Sequence, residues 1–289
     1  MRVDISLAAL AGHCVRHIDT YRTLGECVDT GIDRFYVHID NGASVLAIAH
    51  LDTALNHYHA ILDGKTIISP SLDDRLGVYV ILDVLPSLGL KYDILLTTDE
   101  EIGLSTASDF DTDKQYNWMF SLDRRGTDVV LYDYHNADTV RACRVAGWQV
   151  GIGTYSDIAM CDIGCVGFNF GIGYHLEHTR KCYAHKSVVE RQVKRFIRFY
   201  RKHCRTLMPY DGYLWTRADT LEWSDDMPYG HSVKYQYIDG HYVRVDRDTS
   251  LSECAWCGMP LFGTYVRFGY GVCIECAEYI DRQDRLWDN

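Results

Sequence analysis

Five short stretches of the sequence place acids or histidines at the end of an apolar run or at a helix start. "SVLAIAHLDTA" ends in His50 and Asp52, and "SPSLDDRLG" carries Asp73 and Asp74. "ILLTTDEEIG" carries Asp99, Glu100 and Glu101, "MFSLDRRG" carries Asp123, and "NFGIGYHLEHT" carries His175 and His178. Adjacent carboxylates at the end of a buried strand repel one another, and burying them is costly unless a cation lies among them. Imidazole nitrogens mixed with carboxylate oxygens suit zinc, and such mixed sites, when they keep an open position, suit catalytic rather than structural metal. Each residue also has a plainer role. Asp73 or Asp74 would cap a helix and complement its dipole. His50 would be a hydrogen-bonded core imidazole, Asp123 would open a turn before Gly126, and residues 99–101 would form a solvated acidic turn. For the metal to be absent, all of these plainer roles have to coincide.

The elements that must position these residues are legible as alternation. "RFYVHI" and "SVLAIAH" read as strands flanking "DNGA", a hairpin signal. "DDRLGVYVILDVLPSLG" reads as a helix with an acidic start that ends near Pro86 and Gly89. "KYDILLTT", "NWMFSLD", "DVVLYD" and "CVGFNFGIG" read as further strands, and "SVVERQVKRFIRFYRKHC" as a long closing helix. This alternation predicts an α/β fold over residues 1–205, with a mixed central sheet sandwiched by helices. In open α/β sheets ligands bind beyond the carboxyl ends of the strands, so all five segments deliver ligand types to one plausible edge. Residues 206–250 change character: they are rich in Tyr, Trp, Asp and Gly, and read as an aromatic linker, a small β element or a lid. Residues 251–289 form a third, cysteine-paired unit.

Composition narrows the function. The chain has 289 residues, 47% of them hydrophobic, which supports one sizeable core. With 29 basic and 40 acidic residues the net charge is -11, which argues against nucleic acid or an anionic membrane as the main partner. The one basic stretch, "RQVKRFIRFYRKHCR", places Val193, Phe196, Ile197 and Tyr200 at helical spacing and reads as a helix with an apolar core face and a solvated basic face. No apolar run is long enough to span a bilayer and the start lacks a signal-peptide design, so a cytoplasmic location is the default. Eleven cysteines in a reducing compartment point to metal ligands and core thiols before disulfides.

The ordered phrases "HLD", "LDDRLG", "DEEIG", "LDRRG" and "EHT" resemble the co-catalytic di-zinc exopeptidases, a superfamily of zinc aminopeptidases, carboxypeptidase G-like enzymes and N-acyl-amino-acid deacylases. The resemblance covers residues 30 to 200 or so. It implies the zinc-peptidase α/β fold and a role for each residue. His50 and Asp123 would bind one zinc, Glu101 and His178 the other, and Asp73 would bridge the two. Asp52 would hydrogen-bond the ring nitrogen of His50 that faces away from the metal and so hold its tautomer. Glu100 would be the general base. The family usually carries its last histidine in a short His-Thr or His-Ser phrase, which favours His178 over His175 and His185. "GTYSDIAM" resembles a loop near the site in relatives. Asp157 is then a candidate substrate contact, although helix capping by Ser156 or Asp157 explains it equally well. Larger members carry an inserted domain; the short spans from Asp52 to Asp73 and from Asp123 to His178 leave no room for one, so this chain resembles a minimal catalytic domain.

The resemblance implies a hydrolase for small amides: an aminopeptidase, with an N-acyl-amino-acid deacylase as the alternative within the superfamily. A non-catalytic binding module acting through its tail is the alternative outside it. In that tail Cys254 and Cys257 form one CxxC and Cys273 and Cys276 another, with fifteen residues between the pairs. The spacing suits one tetrahedral structural zinc, as in a zinc ribbon with a protein-partner role; two disulfides or four unligated thiols are the other outcomes. The expected metal content is therefore two catalytic zinc ions and one structural zinc ion.

Overall fold

The computed structural model of the protein describes residues 3–55, 59–153 and 155–210, together with four strands further on at 234–238, 241–245, 265–267 and 270–272. The chain divides into two compact units, Met1–Leu214 and Trp215–Asn289. In chain order the first contains α1 (Leu7–Cys14), β1 (Glu26–Gly31), β2 (Arg34–Ile39), β3 (Val45–His50), β4 (Ile61–Asp63), β5 (Thr66–Ile68), α2 (Leu72–Tyr79), α3 (Leu85–Ser87) and β6 (Asp93–Thr97). It continues with β7 (Trp118–Arg124), β8 (Val129–Val130), α4 (Ala137–Val145), β9 (Val150–Gly151), α5 (Asp157–Met160), β10 (Gly167–Gly171), β11 (Tyr174–His175), β12 (Tyr183–His185) and α6 (Lys186–His203).

Eight strands form a mixed sheet in the order β1-β2-β6-β3-β7-β10-β8-β9. Its centre, β6-β3-β7-β10, is parallel throughout. Every residue of β3 and β6 is buried, as expected of parallel strands covered on both faces. On one face Phe196, Phe199 and Tyr200 of α6 pack on the strand aromatics. Phe196 lies 4.5 Å from Phe120 and 5.3 Å from Phe170, Phe199 lies 5.2 Å from Phe168, and Tyr200 lies 5.8 Å from Trp118. Full burial of each such ring contributes about 1.5–3 kcal/mol. The opposite face takes α5: Gly167 pairs with Met119 in register, and a side chain there would collide with Ile158, Tyr134 and Met119. The basic stretch of α6 thus buries Val193, Phe196, Ile197 and Tyr200, as its spacing predicts.

A second, four-stranded sheet has the order β11-β12-β5-β4 and is antiparallel. It anchors the two segments that the large sheet does not supply, the chain running into α2 and the loop between β11 and β12.

Two expected elements differ. "DNGA" does not close a hairpin, because β6 lies between β2 and β3, antiparallel to the first and parallel to the second. The turn residues instead wrap the start of β6. The Asp93 Oδ1 atom accepts from the backbone N–H groups of Asn41 and Ala43, each at 2.9 Å, and Asn41 Nδ2 donates to the Tyr92 carbonyl at 2.8 Å. Its other oxygen receives the Tyr116 hydroxyl at 2.8 Å and the Lys114 ammonium. Asp93 is fully buried, so Asp93→Ala is expected to cost about 1–3 kcal/mol for each buried donor left unpaired, read as a lowered urea midpoint. "DVVLYD" is a strand only over Val129–Val130, after which Tyr132–Tyr134 turn into a short 3₁₀ segment with Tyr132 at φ +46°. The helix read from "DDRLG" is present as α2, a π-turned segment Val80–Val84 and α3, but Asp73 and Asp74 have non-helical torsions and a cis peptide joins them.

Seven cysteines lie among the described residues, all with free thiols; Cys14, Cys143, Cys161, Cys165 and Cys182 are buried and Cys27 and Cys204 half-buried, as expected of core thiols. No helix among the described residues is long and apolar enough to cross a membrane. In the second unit β13 (Lys234–Ile238) pairs antiparallel with β14 (His241–Val245), and β15 (Tyr265–Arg267) with β16 (Tyr270–Val272). Cys254, Cys257, Cys273 and Cys276 lie outside the described residues.

Candidate metal centre

Three adjacent parallel strands end together, and each delivers part of one cluster. His50 is the last residue of β3, and β6 and β7 flank it. The chain leaving β6 carries Glu100 and Glu101, and Asp123 stands near the end of β7. Asp73 enters from the non-helical first turn of α2, and His178 from the loop between β11 and β12, at φ +58°. The structure brings all five expected ligand residues to the carboxyl edge of the sheet.

Their distances define two groups that share Asp73. His50 Nε2 lies 3.4 Å from Asp73 Oδ1 and 3.4 Å from Asp123 Oδ1. His178 Nε2 lies 3.3 Å from Asp73 Oδ2 and 3.0 Å from Glu101 Oε2. The two oxygens of Asp73 thus face different histidines. Glu100 stands beside the first group, its Oε2 3.8 Å from His50 Nε2. A further acid, Asp74, joins His50 and Asp123 in a second arrangement whose ligand atoms all lie within 4.8 Å of one another. Asp74 Oδ1 accepts from the Gly77 N–H at 3.1 Å and holds the first turn of α2, so we assign it to the helix start.

The acidic phrase at 99–101 resolves into three different roles. Asp99 adopts φ +66° and pairs with Arg34 Nε at 2.7 Å, away from the cluster. Reciprocal bonds between Thr98 and Thr106, 2.9 Å and 3.0 Å long, close the loop, and it tightens further where Leu104 N–H donates to the Asp99 carbonyl at 2.9 Å. That closure turns Glu100 and Glu101 inward.

Asp52 supports two partners. The Nδ1 atom of His50 lies 3.1 Å from the Asp52 carbonyl oxygen and 3.5 Å from its Oδ1, so the main chain is the nearer acceptor and Nε2 is left facing the cluster. The other carboxylate oxygen of Asp52 accepts from the Glu101 N–H at 3.0 Å. His175 is exposed and its ring tilts against Tyr183 at 5.4 Å; His185 precedes α6, its Nδ1 2.9 Å from Ser187 Oγ. Neither joins the cluster. Ser156 caps α5, its Oγ accepting from the Ile158 N–H at 3.1 Å. Asp157 is buried beneath the site, where it accepts from Thr97 at 2.6 Å and from Ser105.

Electrostatics show how far this set departs from ordinary side chains. Burial, and then the charge of Asp123, push Glu100 well above the usual carboxylate range. Burial and then the charge of Asp73 do the same to Asp123. Burial opposes ionisation of Asp73 too, but the nearby imidazoles of His178 and His50 outweigh it and hold that carboxyl well below the range. Burial pulls His50 down, yet Asp123 and Glu100 bring it well above an ordinary imidazole, and Asp73 and Glu101 raise His178 by hydrogen bonding. Among the described residues, His50 Nε2, Glu101 Oε1, Asp52 Oδ1 and Asp74 Oδ2 are buried within or beside the cluster without a hydrogen-bond partner. Orphaned buried acceptors around mixed nitrogen and oxygen donors fit divalent cations, which would neutralise the acids and accept the imidazole lone pairs.

One partner of the cluster lies within "NFGIGYHLEHT" without being a metal-ligand type singled out there. Tyr174 on β11 places its hydroxyl 2.7 Å from the Asp123 carbonyl and 3.1 Å from Asp73 Oδ1. Its position four residues before His178 is the only signal the sequence offers. Asn169 is a second such residue, accepting from the Asp123 N–H at 3.2 Å while its amide nitrogen donates to Tyr132 Oη at 3.0 Å.

Residues 32–138 match the family model for M42 glutamyl aminopeptidase. That stretch includes His50, Asp52, Asp73, Glu100, Glu101 and Asp123 and stops short of His178. No curated protein matches the sequence. Among solved structures, the aminopeptidase PepT of Bacillus cereus is similar at 10% identity and a TM-score of 0.47, over 68% of this chain and 98% of that one. The TET1 peptidase of Pyrococcus horikoshii, described as assembling into a tetrahedron or a large octahedral shell, gives 14% and 0.44 over 62% and 90%. A tripeptidase of Staphylococcus aureus gives 10% and 0.44 over 60% and 85%.

Proposed function

We propose that the protein is a metallo-aminopeptidase that removes the N-terminal residue of small peptides at a two-zinc centre. One observation carries this reading: Asp73 presents one oxygen to the His50–Asp123 pair and the other to the Glu101–His178 pair, with Glu100 beside them. The family match over residues 32–138 supports it. In this assignment His50 and Asp123 would hold one ion, Glu101 and His178 the other, and Asp73 would be shared between them. When bound, two zinc ions polarise the scissile carbonyl and ease deprotonation of the attacking water.

The chain's own residues do the rest. Glu100 takes the proton from water and returns it to the departing amine. Its side chain is only 13% exposed, and burial raises its affinity for a proton, as a group needs that must accept one and then give it up. Asp52 holds the Glu101 main chain and, through its carbonyl, the ring of His50. Arg34 keeps Asp99 out of the cluster and so preserves its charge balance. We assign Cys254, Cys257, Cys273 and Cys276 to a structural zinc in the second unit; four thiolates leave no open position, so that ion takes no part in hydrolysis and the unit is free to serve a protein partner.

The test is a panel of aminoacyl amides with free amino groups, glutamyl and aspartyl included, run beside N-acyl amino acids. Hydrolysis of the free aminoacyl amides alone is the expected result. Cleavage confined to N-acyl amino acids would make the protein a deacylase instead, and inertness of the zinc-loaded protein toward both would leave the binding-module reading.

A further inference from the structure

We propose that Tyr174 is a positioning residue for the metal centre: its hydroxyl pins the Asp73 carboxylate against Asp123, so that one oxygen of Asp73 stays on the His50 side and the other on the His178 side. The inference rests on the two-metal reading and extends it to a residue outside the ligand set.

The geometry is specific. Tyr174 is 2% exposed and its Oη lies 2.7 Å from the Asp123 carbonyl, 3.1 Å from Asp73 Oδ1 and 3.4 Å from Asp123 Oδ1. A phenol is protonated at neutral pH and has one hydrogen to donate, which these acceptors share. Asp73 and Asp123 arrive from different parts of the fold, one from the first turn of α2 and the other from the end of β7. The hydroxyl therefore ties two elements together at the point where their carboxylates must act jointly. The Tyr174 backbone has its own anchors: its carbonyl accepts from the Gly126 N–H at 2.9 Å, and the strand pairs with Ala184. Removing the oxygen alone should leave strand and ring in place while releasing the Asp73 carboxylate. An ion must then order that carboxylate as it binds, which lowers affinity.

Outer partners of metal ligands typically contribute about 10–100-fold in metal affinity. Tyr174→Phe is therefore expected to bind zinc about 10–100-fold more weakly in competition with a chromophoric chelator. The metal-free variant should melt close to the metal-free wild type, while the rise in Tm on adding zinc should shrink, since that rise reports affinity. Activity should return as zinc is raised. In an Asp73→Asn background the same substitution should cost little further affinity, because the two residues act as one unit. Unchanged zinc affinity in Tyr174→Phe would overturn the proposal, as would equal loss of Tm with and without zinc at unchanged affinity, which marks a merely structural hydroxyl. A wild-type protein that binds no zinc at this site would overturn the two-metal reading itself, so the two failures are distinguishable.

Discussion

Glu100→Gln is expected to keep the fold and both zinc ions while lowering turnover by ~10²–10⁴-fold, the usual contribution of a general base. Glutamine has the shape of glutamate but cannot take the proton from water. Glu100 touches the cluster at its margin, 3.8 Å from His50 Nε2, so losing its charge does not remove a ligand. The neighbouring substitution gives the contrast. Glu101 Oε2 sits 3.0 Å from His178 Nε2, so Glu101→Gln should lower metal content first and activity as a consequence. Measuring kcat and zinc per chain on both variants separates base from ligand. Wild-type activity in Glu100→Gln would mean that another group carries the proton.

The second large effect concerns the bridge. Asp73→Asn should lower zinc affinity by more than the ~10–100-fold typical of an outer partner, because it withdraws the one charge shared by both groups. Chelating the wild type should abolish activity and leave the acids facing one another without cations. The pH response of the chelated protein then has a definite sign. His50 and His178 hold their protons more tightly when folded than the ordinary imidazole value of about 6.5, so the stability they contribute is full below that value and is lost as pH rises beyond it. Asp74, Asp123 and Glu100, all raised by burial, act in the same direction, whereas Asp73 titrates far below this window. The Tm of the chelated protein should therefore fall between pH 6 and pH 9 or so, and zinc should reverse the loss. A Tm that rises across that range would contradict the charge balance described for the cluster.

Much of this site is legible in the sequence because buried parallel strands announce themselves. Residues 45–49 and 94–96 are apolar runs within fully buried strands, and such runs carry the polar residues that follow them to the strand edge, although Asp99 then turns away. That is why the sequence points His50, Glu100, Glu101 and Asp123 to one edge. Strand order was less accessible. "DNGA" has the composition of a tight turn, but its N–H groups bind Asp93, a partner 50 residues away, and local composition carries no trace of that bond. Asp73 was visible as a ligand type, while its departure from helical torsions was not, because the surrounding phrase has good helix-start chemistry. Tyr174 illustrates the remaining limit. A tyrosine in an apolar run reads as core, and only the pairing of β11 with β12 reveals that its hydroxyl reaches two carboxylates. The ion pair of Arg34 with Asp99, which removes one acid from the cluster, is likewise a tertiary event with no local pattern.

The most direct test of the central claim is anomalous diffraction at the zinc edge from crystals of the zinc-loaded protein. Two peaks are predicted at the carboxyl edge of the central sheet, one bounded by His50, Asp73 and Asp123 and the other by Asp73, Glu101 and His178, with Asp73 common to both. No peak in that cluster, or a single ion held without Asp73, would contradict the account.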